Sequence, residues 1–420
     1  MIQTGSIILA AGKGTRMKSE MPKVLHHVCG QAMINYVVDS AKAVSSKVCI
    51  VLGHGHRLVE QNFESDIDIA IQTKLLGTAD AIKSARSCFK GFKGNILVLC
   101  GDVPLLKATS IRKLLTVHRR SKSSCTFLSA ELENPCGYGR VIRKDGNNVI
   151  AIREEKDATL KEKAICEINT GLYCFRAQDL FDGLDKIKLN KKKNEYYLTD
   201  IISIFVEEKK SVCVVKLDNP IEGLGINTRK DLAEANRILN KRTLDRLMDQ
   251  GVAIIDPGTT YIGTNVKVGQ DTIIFPFTFI ENDVMIGKRC KLGPFCHIRP
   301  KTRIKDEAQV GNFTEVSRST IGEKSLMKHF GFLGDASVGR KANIGAGVVT
   351  ANYDGKNKNK TIIGDEAFIG SDSILVAPVK VGKKSMTGAG CVVPRQRNIP
   401  NGKTMVGVPG RIKPKGKSNE

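Results

Sequence analysis

Residues 262–316 decide the fold of the second half of the chain. Written in sixes they read IGTNVK, VGQDTI, IFPFTF, IENDVM, IGKRCK, LGPFCH, IRPKTR, IKDEAQ and VGNFTE, and Val316 opens the next group. Every group begins with an aliphatic residue, and glycine often follows it. This hexapeptide period is the signature of a parallel β-helix, whose aliphatic side chains fill a triangular prism. Glycine is expected at the tight corners, where a side chain would not fit.

The same register returns further along the chain after two interruptions. It resumes at Val338 and Ile344, and a last series runs through Ile363, Ile369, Leu375, Val381, Val393 and Ile399. The interruptions cover 323–334 and 352–360, and insertions in a solenoid form surface loops, often where ligands bind. We therefore expect an all-β, left-handed parallel β-helix over 252–420, ending in a basic tail. A purely architectural stalk is the alternative to a catalytic prism.

The first half follows a different pattern. Apolar runs predict strands at 6–10, 47–52, 67–71 and 96–100, and helical patterns lie between them near 31–44, 78–89 and 108–120. Less regular strands are predicted near 124–131, 138–143 and 164–175. Strands that alternate with helices imply βαβ units and a mostly parallel sheet. We expect a Rossmann-like α/β domain over 1–227, joined to the β-helix by a linker helix over 228–251.

Composition narrows the possible partners. The 420 residues carry a formal net charge of +23, which favours anionic ligands, and 41% hydrophobic residues argue against disorder. Aromatic residues are scarce, tryptophan is absent, and no nucleic-acid-binding motif is found, so we expect no nucleic-acid partner. The basic runs at 186–193 and 411–417 are typical of solvated faces or tails. The second run could also attract the phosphates of a coenzyme.

The sequence also indicates the cellular compartment of the protein. No stretch approaches the roughly 18 apolar residues of a membrane helix, and the apolar run at 7–11 is too short for a signal peptide. Twelve cysteines contain no C-x-x-C pair, so neither a zinc site nor a disulfide framework is expected. We expect a cytoplasmic protein without membrane insertion.

A glycine loop follows the first predicted strand. It reads L-A-A-G-K-G-T-R-M from Leu9 to Met17, and P-K-V-L-H follows at 22–26. Backbone N–H groups of such a loop bind phosphates, and nearby cations suit a triphosphate. The loop is neither a Rossmann fingerprint, since Met17 replaces its third glycine, nor a Walker A motif. The candidate nucleotide-binding residues are Leu9, Ala10, Ala11, Gly12, Gly14, Arg16 and Lys23.

These motifs resemble the nucleotidyltransferases that join a sugar 1-phosphate to a nucleoside triphosphate. With the hexapeptide half, residues 5–410 resemble the bifunctional GlmU-type family of N-acetylglucosamine-1-phosphate uridyltransferases/glucosamine-1-phosphate acetyltransferases. The resemblance implies N-acetylation of glucosamine 1-phosphate by acetyl-CoA, then Mg²⁺-dependent uridylyl transfer from UTP, giving UDP-N-acetylglucosamine. It also implies a homotrimer held by the β-helix and a role in supplying peptidoglycan and lipopolysaccharide precursors.

The resemblance assigns roles in the first half. Asp102, in G-D-V-P-L after a buried strand, and Asn227, in G-I-N, are the implied Mg²⁺ ligands, and an oxygen-rich site suits that ion. Gln72, Gly77 and Thr78 resemble the uracil-reading segment. Lys23 and Arg16 would neutralise the charge that develops on the phosphates. The implied sugar-phosphate residues are Gly139, Glu154, Asn169 and Asn227.

The resemblance also assigns roles in the β-helix. His329, inside the first interruption, is the implied general base, and a neutral imidazole suits that task near pH 7. The alternative to a catalytic role is a histidine that only packs within a loop. The implied sugar-phosphate residues are Arg299, Ser317, Phe332 and Asn343. The implied acetyl-CoA residues are Ala346, Asn352, Tyr353, Ser371 and Ala389.

The chain departs from the family pattern at four positions. Cys100 stands where Tyr is frequent, Ser317 replaces a Lys, Phe332 replaces a Tyr and Gly407 replaces an Arg of some members, while Arg318 is the cation nearest to the missing Lys. These departures leave open a monofunctional uridyltransferase whose prism is only a trimerisation scaffold. A non-catalytic assembly subunit is a third hypothesis, against which the intact Arg16, Lys23, Asp102 and Asn227 argue.

Overall fold

The computed structural model describes residues 3–63, 66–146, 148–191 and 194–413. Both basic runs extend beyond this part of the chain, since 192, 193 and 414–417 lie outside it. The chain divides into two compact units, residues 1–235 and 236–420. Within the described residues, no helix has both the length and the apolar character needed to cross a bilayer.

The first unit is an α/β domain. Its strands are β1 (Gln3–Ala10), β2 (His27–Val28), β3 (Gln31–Ala32), β4 (Lys47–Leu52), β5 (Asp68–Ile71), β6 (Gly94–Cys100), β7 (Cys125–Glu131), β8 (Gly139–Lys144), β9 (Asn148–Arg153), β10 (Glu167–Arg176) and β11 (Val212–Lys216). Its helices are α1 (Met33–Lys42), α2 (His56–Glu60), α3 (Thr78–Ser84), α4 (Ala108–Ser121), α5 (Leu160–Lys163), α6 (Ala177–Leu184) and α7 (Asp200–Glu207), and α8 (Arg229–Asp249) leads into the second unit.

The main sheet of this unit has the order β11-β7-β10-β6-β1-β4-β5, and β8 and β9 pair at its side. β1 runs parallel to β4 and β6, whereas β10 runs antiparallel to β6 and β7. The sheet is therefore mixed, with a parallel half that carries the glycine loop. The carboxyl ends of its parallel strands are the edge where ligands bind in open α/β folds.

The second unit is a β-helix of three parallel sheets, here called the first, second and third faces. The first face contains Ala253–Ile254, Ile273–Ile274, Lys291–Leu292, Gln309–Val310, Leu326–Met327, Asn343–Ile344, Phe368–Ile369, Met386–Thr387, Thr404–Val406 and the antiparallel Arg411–Ile412. The second contains Tyr261–Ile262, Phe279–Ile280, His297–Ile298, Thr314–Ser317, Gly331–Gly334, Val348–Ala351, Ile374–Val376 and Val392–Val393. The third contains Lys267–Val268, Val284–Ile286, Thr302–Ile304, Thr320–Ile321, Ala336–Val338, Thr361–Ile363 and Val379–Val381.

The expected interruption at 323–334 was wrong. Met327 and Leu333 are buried in the prism, and their strands pair with the coils on both sides. The aliphatic series continues through Val316, Ile321, Met327, Leu333 and Val338, so two corners are one residue shorter than elsewhere. A search for aliphatic residues at a fixed six-residue spacing fails where the spacing drops to five. The interruption at 352–360 does leave the prism as a loop between Val348–Ala351 and Thr361–Ile363.

Glycine follows the buried aliphatic residue because the next coil is close. A Cβ on Gly311 would lie 2.0 Å from the Lys328 carbonyl oxygen, and one on Gly263 would lie 2.3 Å from Asn282 Oδ1. The left-handed positions of the corners are taken by other residues, such as Phe277 and Lys301. Gly263 and Gly311 thus serve close coil stacking rather than an unusual backbone angle, whereas Gly293, which follows the buried Leu292, also has a φ of +91°.

The first coil is closed by the second half of α8. Leu244 and Leu247 are buried in the same core as Ile254 and Ile262. The Asn240 side chain receives a 3.0 Å hydrogen bond from the Ile262 N–H and donates one of 2.9 Å to the Thr260 carbonyl. The helix therefore covers the end of the prism that would otherwise expose aliphatic side chains.

The burial of Leu333 predicts a large effect of its truncation. Leu333→Ala is expected to lower the free energy of unfolding of the β-helix by about 2–5 kcal/mol, because it leaves a cavity in a fully buried layer. Urea unfolding followed by circular dichroism measures this, with the exposed Lys328→Ala as a neutral control in the same segment. Equal stability of the two variants would mean that 323–334 is a surface loop.

Candidate functional site

A cavity of about 730 Å³ lies at the carboxyl ends of β1 and β6. Its walls also include Cys100, Glu195 and Tyr197. The structure therefore brings most of the candidate residues of the first unit together in one cavity. Those that line it are Leu9, Ala10, Ala11, Gly12, Gly14, Lys23, Gln72, Gly77, Thr78, Asp102 and Glu154.

Gln72 faces this cavity with one end of its amide already fixed. Its Nε2 donates to the Gly77 carbonyl at 3.0 Å and to Asp80 Oδ2 at 2.8 Å, so the Oε1 atom is directed as an acceptor. Gly77 has a φ of +98°, and a Cβ there would lie 2.6 Å from the Tyr196 carbonyl oxygen. The close approach of residues 195–197 to this turn therefore requires glycine.

Lys23, Arg16, Asp102 and Asn227 form one polar cluster. The Lys23 ammonium bridges Asp102 Oδ2 and Asn227 Oδ1, the latter at 2.9 Å. Arg16 donates to the same Asn227 oxygen at 2.9 Å. The Asn227 amide is oriented by its own donation to the Gly225 carbonyl at 3.2 Å. Two oxygens are thus turned toward a single cation, at the edge of the nucleotide cavity.

This cluster fits a magnesium ion. The Lys23 ammonium shows that the Asp102 carboxylate and the Asn227 carbonyl oxygen can converge on one positive charge. No group of three or more His, Cys, Asp or Glu side chains arranged for a metal occurs among the described residues. Mg²⁺ suits such a sparse donor set, because it keeps several waters and binds substrate phosphates beside one or two protein oxygens.

Gly139 and Asn169 lie on the neighbouring strands β8 and β10, and Glu154 directly follows β9, which pairs with β8. Gly139 pairs with Asn169 across β8 and β10, and Asn169 Nδ2 donates to the Tyr173 hydroxyl at 2.7 Å. Glu154 lines the cavity and accepts a 2.9 Å hydrogen bond from Thr199 Oγ1. Burial raises the pKa of the Glu154 carboxyl above its usual range. A buried carboxyl that already accepts a hydrogen bond here suits recognition of sugar hydroxyls.

Sequence reasoning missed the segment 195–199. Leu198 N–H donates to Thr78 Oγ1 at 3.0 Å and Tyr196 N–H donates to the Leu76 carbonyl at 2.7 Å, so this segment is tied to the turn at 76–78. Burial raises the pKa of Tyr197 to about 12, which keeps its hydroxyl neutral beside the cavity. Adjacent tyrosines in a chain with only seven were the signal available in the sequence.

A groove of about 910 Å³ covers the outward side of the second face of the β-helix. Phe279, His297, Glu315, Phe332 and Val349 succeed one another along this face and line the groove. The candidate sugar residue Phe332 therefore lies in it. On the third face the outward positions are mostly polar or charged instead, at Lys267, Arg303, Thr320, Ser337 and Lys380.

The turns between the first and second faces form one edge of this groove, here called the leading edge. In the first coils it carries Phe277, Phe295 and Phe313, whose rings stack at 4.7 and 5.1 Å. Further along it carries the exposed His329, and then the candidate acetyl-CoA residues Ala346, Ser371 and Ala389 at successive coils. The implied base and three implied coenzyme contacts thus lie along a single line.

The turns after the second face form the other edge, here called the trailing edge. It carries Arg299, which donates to Glu315 Oε1 at 2.9 Å and lies 3.6 Å from Glu281 Oε1. Asn352 is buried there, whereas Tyr353 is exposed at the start of the 352–360 loop. Asn343 lies half-buried on the first face, so the structure does not bring it into the groove.

Arg318 does not extend into solvent as a free cation. Its guanidinium makes two hydrogen bonds to Asp335, at 2.7 and 2.9 Å, and a third of 2.8 Å to the buried Ser317 hydroxyl. Asn352 Nδ2 donates to the same carboxylate at 2.5 Å. Arg318 therefore fixes the Asp335 carboxylate, and that carboxylate in turn fixes Asn352 at the start of the 352–360 loop. This contact also lowers the pKa of Asp335, chiefly through the Arg318 hydrogen bonds.

Comparisons with known proteins agree with both halves. Residues 5–241 match the nucleotidyl transferase family, and 360–395 match the hexapeptide repeat of succinyl-transferase. The chain is 44% identical to "Bifunctional protein GlmU" of Pelotomaculum thermopropionicum, over 89% of this chain and 90% of that one. It is 40% identical to the protein of that name from Shouchella clausii, over 92% and 93%, and 38% identical to that from Listeria monocytogenes, over 92% of each.

The Arg318–Asp335 pair predicts a pH-dependent contribution to stability. The pKa of Asp335 is lowered, so its stabilisation is fully present above its unfolded value of 3.8 and is lost as the pH falls through the lower folded value. Arg318→Met should therefore cost about 1 kcal/mol at pH 7 and less as the pH approaches 3. Thermal unfolding across this range measures it, with Asp335→Asn expected to abolish the same pH dependence. A cost that does not change with pH would contradict the ion pair.

Proposed function

The chain belongs to the bifunctional GlmU family, and from that premise we propose the chemistry of its two sites. The protein is a bifunctional transferase that N-acetylates glucosamine 1-phosphate with acetyl-CoA and then transfers a uridylyl group from UTP to the product. UDP-N-acetylglucosamine and pyrophosphate are released. The observation that supports this most directly is the cavity of the first unit, where the glycine loop, Gln72 and the Lys23 cluster meet.

In the uridylyl step, a phosphate oxygen of the sugar 1-phosphate attacks the α-phosphorus of UTP, and pyrophosphate leaves. The backbone N–H groups of the 9–14 loop, with Lys23 and Arg16, orient the triphosphate and neutralise the charge that develops. Gln72 and Gly77 orient the uracil, while Asn169 and Glu154 hold the sugar. Mg²⁺, bound at Asp102 and Asn227, would supply further charge neutralisation on the phosphates.

In the acetyl step, the sugar amine attacks the thioester carbonyl and coenzyme A leaves as the thiol. His329 accepts the proton that the amine must lose, and its exposed position on the leading edge gives a substrate access to it. The coenzyme lies along the leading edge over Ala346, Ser371 and Ala389, where the turn residues are small. Arg299 anchors the sugar phosphate in exchange for its contact with Glu315.

A thiol-release assay tests the acetyl step alone. Acetyl-CoA and glucosamine 1-phosphate are supplied without UTP, and free thiol is measured. Saturable release that disappears in His329→Ala supports an active prism despite Ser317, Phe332 and Gly407. Absence of release, together with normal UTP-dependent pyrophosphate formation from N-acetylglucosamine 1-phosphate, would reduce the β-helix to a scaffold.

We also propose that the β-helix forms a homotrimer. The second face and the leading edge expose a continuous apolar surface, in which Phe277, Phe295, Phe313 and Phe330 are about half exposed. Exposed apolar patches of this extent mark interfaces. The predominantly polar third face then remains toward solvent.

We further propose a cytoplasmic location, with which the free cysteines at all twelve positions agree.

Separate sites predict separable losses. Asp102→Ala is expected to lower uridylyl transfer by about a hundredfold or more, because the cation cluster loses its carboxylate, while leaving acetyl transfer intact. His329→Ala is expected to do the reverse, with a comparable loss of its proton acceptor. Both rates are measured on both purified variants. Loss of both activities from either change in a correctly assembled protein would rule out independent sites.

If the stacked phenylalanines of the leading edge lie in the trimer interface, a charged side chain placed among them should disrupt the trimer. Phe295→Lys places an ammonium in the middle of the stacked rings and should convert the trimer to monomers, which sedimentation velocity detects. Ile362→Lys, at a similarly exposed position on the third face, is the matched control and should stay trimeric. An unchanged sedimentation coefficient for Phe295→Lys would place the interface elsewhere.

A further inference from the structure

The first unit contains a second cavity, of about 700 Å³, that the two reactions do not use. Gly94 and Asn95, at the beginning of β6, form part of its wall. β6 ends at Cys100, which lines the nucleotide cavity. The two cavities therefore lie at opposite ends of the same strand. The rest of the wall comes from residues 89–93 before β6, from the end of α4 and from the beginning of α6.

Aromatic rings form one side of this cavity. Phe89, Phe92 and Phe181 all line it, and Phe89 and Phe92 pack edge to face with ring centroids 5.5 Å apart. Phe89 is buried, whereas Phe92 and Phe181 are partly open to the cavity. Rings held in this way offer faces and edges against which another planar ring packs favourably.

Cations form the other side. Lys93, Arg119, Lys122 and Arg176 line the cavity, and no Asp or Glu is among the described lining residues. Arg119 is held by Thr4 Oγ1 at 3.1 Å. Arg176 donates a 2.8 Å hydrogen bond to the Lys122 carbonyl, just after the end of α4. A carbonyl at a helix C-terminus carries partial negative charge and would repel an anion, and this hydrogen bond offsets that charge. Its other contact is Asp179 at 3.5 Å, outside the lining. The cavity therefore favours an anion.

Asn95 supplies the observation that points to a ligand. The residue is only 6% exposed and lines the cavity, and within the described part of the chain its side-chain amide makes no hydrogen bond, so the amide is open to a molecule in the cavity. A ligand that enters the cavity can therefore hydrogen-bond this amide without breaking a hydrogen bond within the protein. It offers an adjacent donor and acceptor, which match the edge of a heteroaromatic ring that carries a carbonyl or ring nitrogen beside an N–H group.

We propose that this cavity is a second ligand site, which binds a heteroaromatic ring carrying a phosphate group, as in a nucleoside monophosphate. The ring packs on Phe92 and Phe181 and pairs with the Asn95 amide. The phosphate is bound by Lys122, Lys93 and the two arginines. The volume of the cavity lies within the range of small-molecule sites.

Ligand-observed NMR on the full-length protein tests this site. AMP, CMP, GMP and UMP are titrated separately in the presence of saturating UDP-N-acetylglucosamine, which fills the nucleotide cavity. The test variants are Lys122→Glu and Phe181→Ala. The matched control is Lys301→Glu, because Lys301 is also exposed and has a φ of 63°, close to the 50° of Lys122, but lies in the β-helix. Circular dichroism checks that each variant is folded.

At least one of the four probes is expected to bind the wild type. Its affinity should fall about tenfold or more in Lys122→Glu and Phe181→Ala and stay unchanged in Lys301→Glu. The same nucleoside without its phosphate should bind at least about tenfold more weakly. Absence of binding by all four probes, equal binding by all variants, or equal binding of nucleoside and nucleotide would each overturn the proposal. Because Lys122 is exposed, its variant remains informative even if Phe181→Ala fails to fold.

Discussion

The β-helix depends on one constraint, which is that each coil must place a buried aliphatic residue on each face above the one below. The coils repeat at 18 residues where Ile273, Lys291 and Gln309 pair in succession, and they keep that stacking at 17 residues where Gln309 pairs with Leu326. Stacked coils bury a continuous core that a single coil could not. The edges of the prism therefore become straight lines, along which residues distant in sequence lie side by side.

That geometry explains the placement of the residues proposed for acetyl transfer. His329, Ala346, Ser371 and Ala389 are spread over sixty positions, yet all follow strands of the first face and so occupy the same edge. The first unit reaches a comparable result in another way. Its parallel strands β1 and β6 end at one side of the sheet, so the glycine loop and Asp102 meet there.

The sequence allowed prediction of whatever is repeated or local, and much less of what is not. The hexapeptide period gave the β-helix, and the glycine loop gave the nucleotide cavity. The two shortened corners before Ile321 and Val338 were not predicted, because a search at a fixed six-residue spacing fails where the spacing is five. The return of residues 195–199 to Gly77 was not predicted because it depends on a contact between residues 120 positions apart. The antiparallel β10 was not predicted because it pairs with a strand about 75 residues earlier in the chain. The pairing of Arg318 with Asp335 spans only 17 residues, but it forms only because successive coils stack on each other.

In both units, cations that are candidates for phosphate binding are already paired with carboxylates. Lys23 contacts Asp102, Arg299 contacts Glu315 and Arg318 contacts Asp335. An ion pair of this kind holds the side chains in place without substrate, but a phosphate must exchange with the carboxylate to bind. At Lys23, Asp102 and Asn227 would hold a magnesium ion, which would supply the carboxylate with a new positive partner when Lys23 turns to a phosphate. Arg318 has no such exchange, since Asp335 also holds Asn352. Arg318 therefore serves as a positioning residue, and Arg299 remains the proposed phosphate anchor.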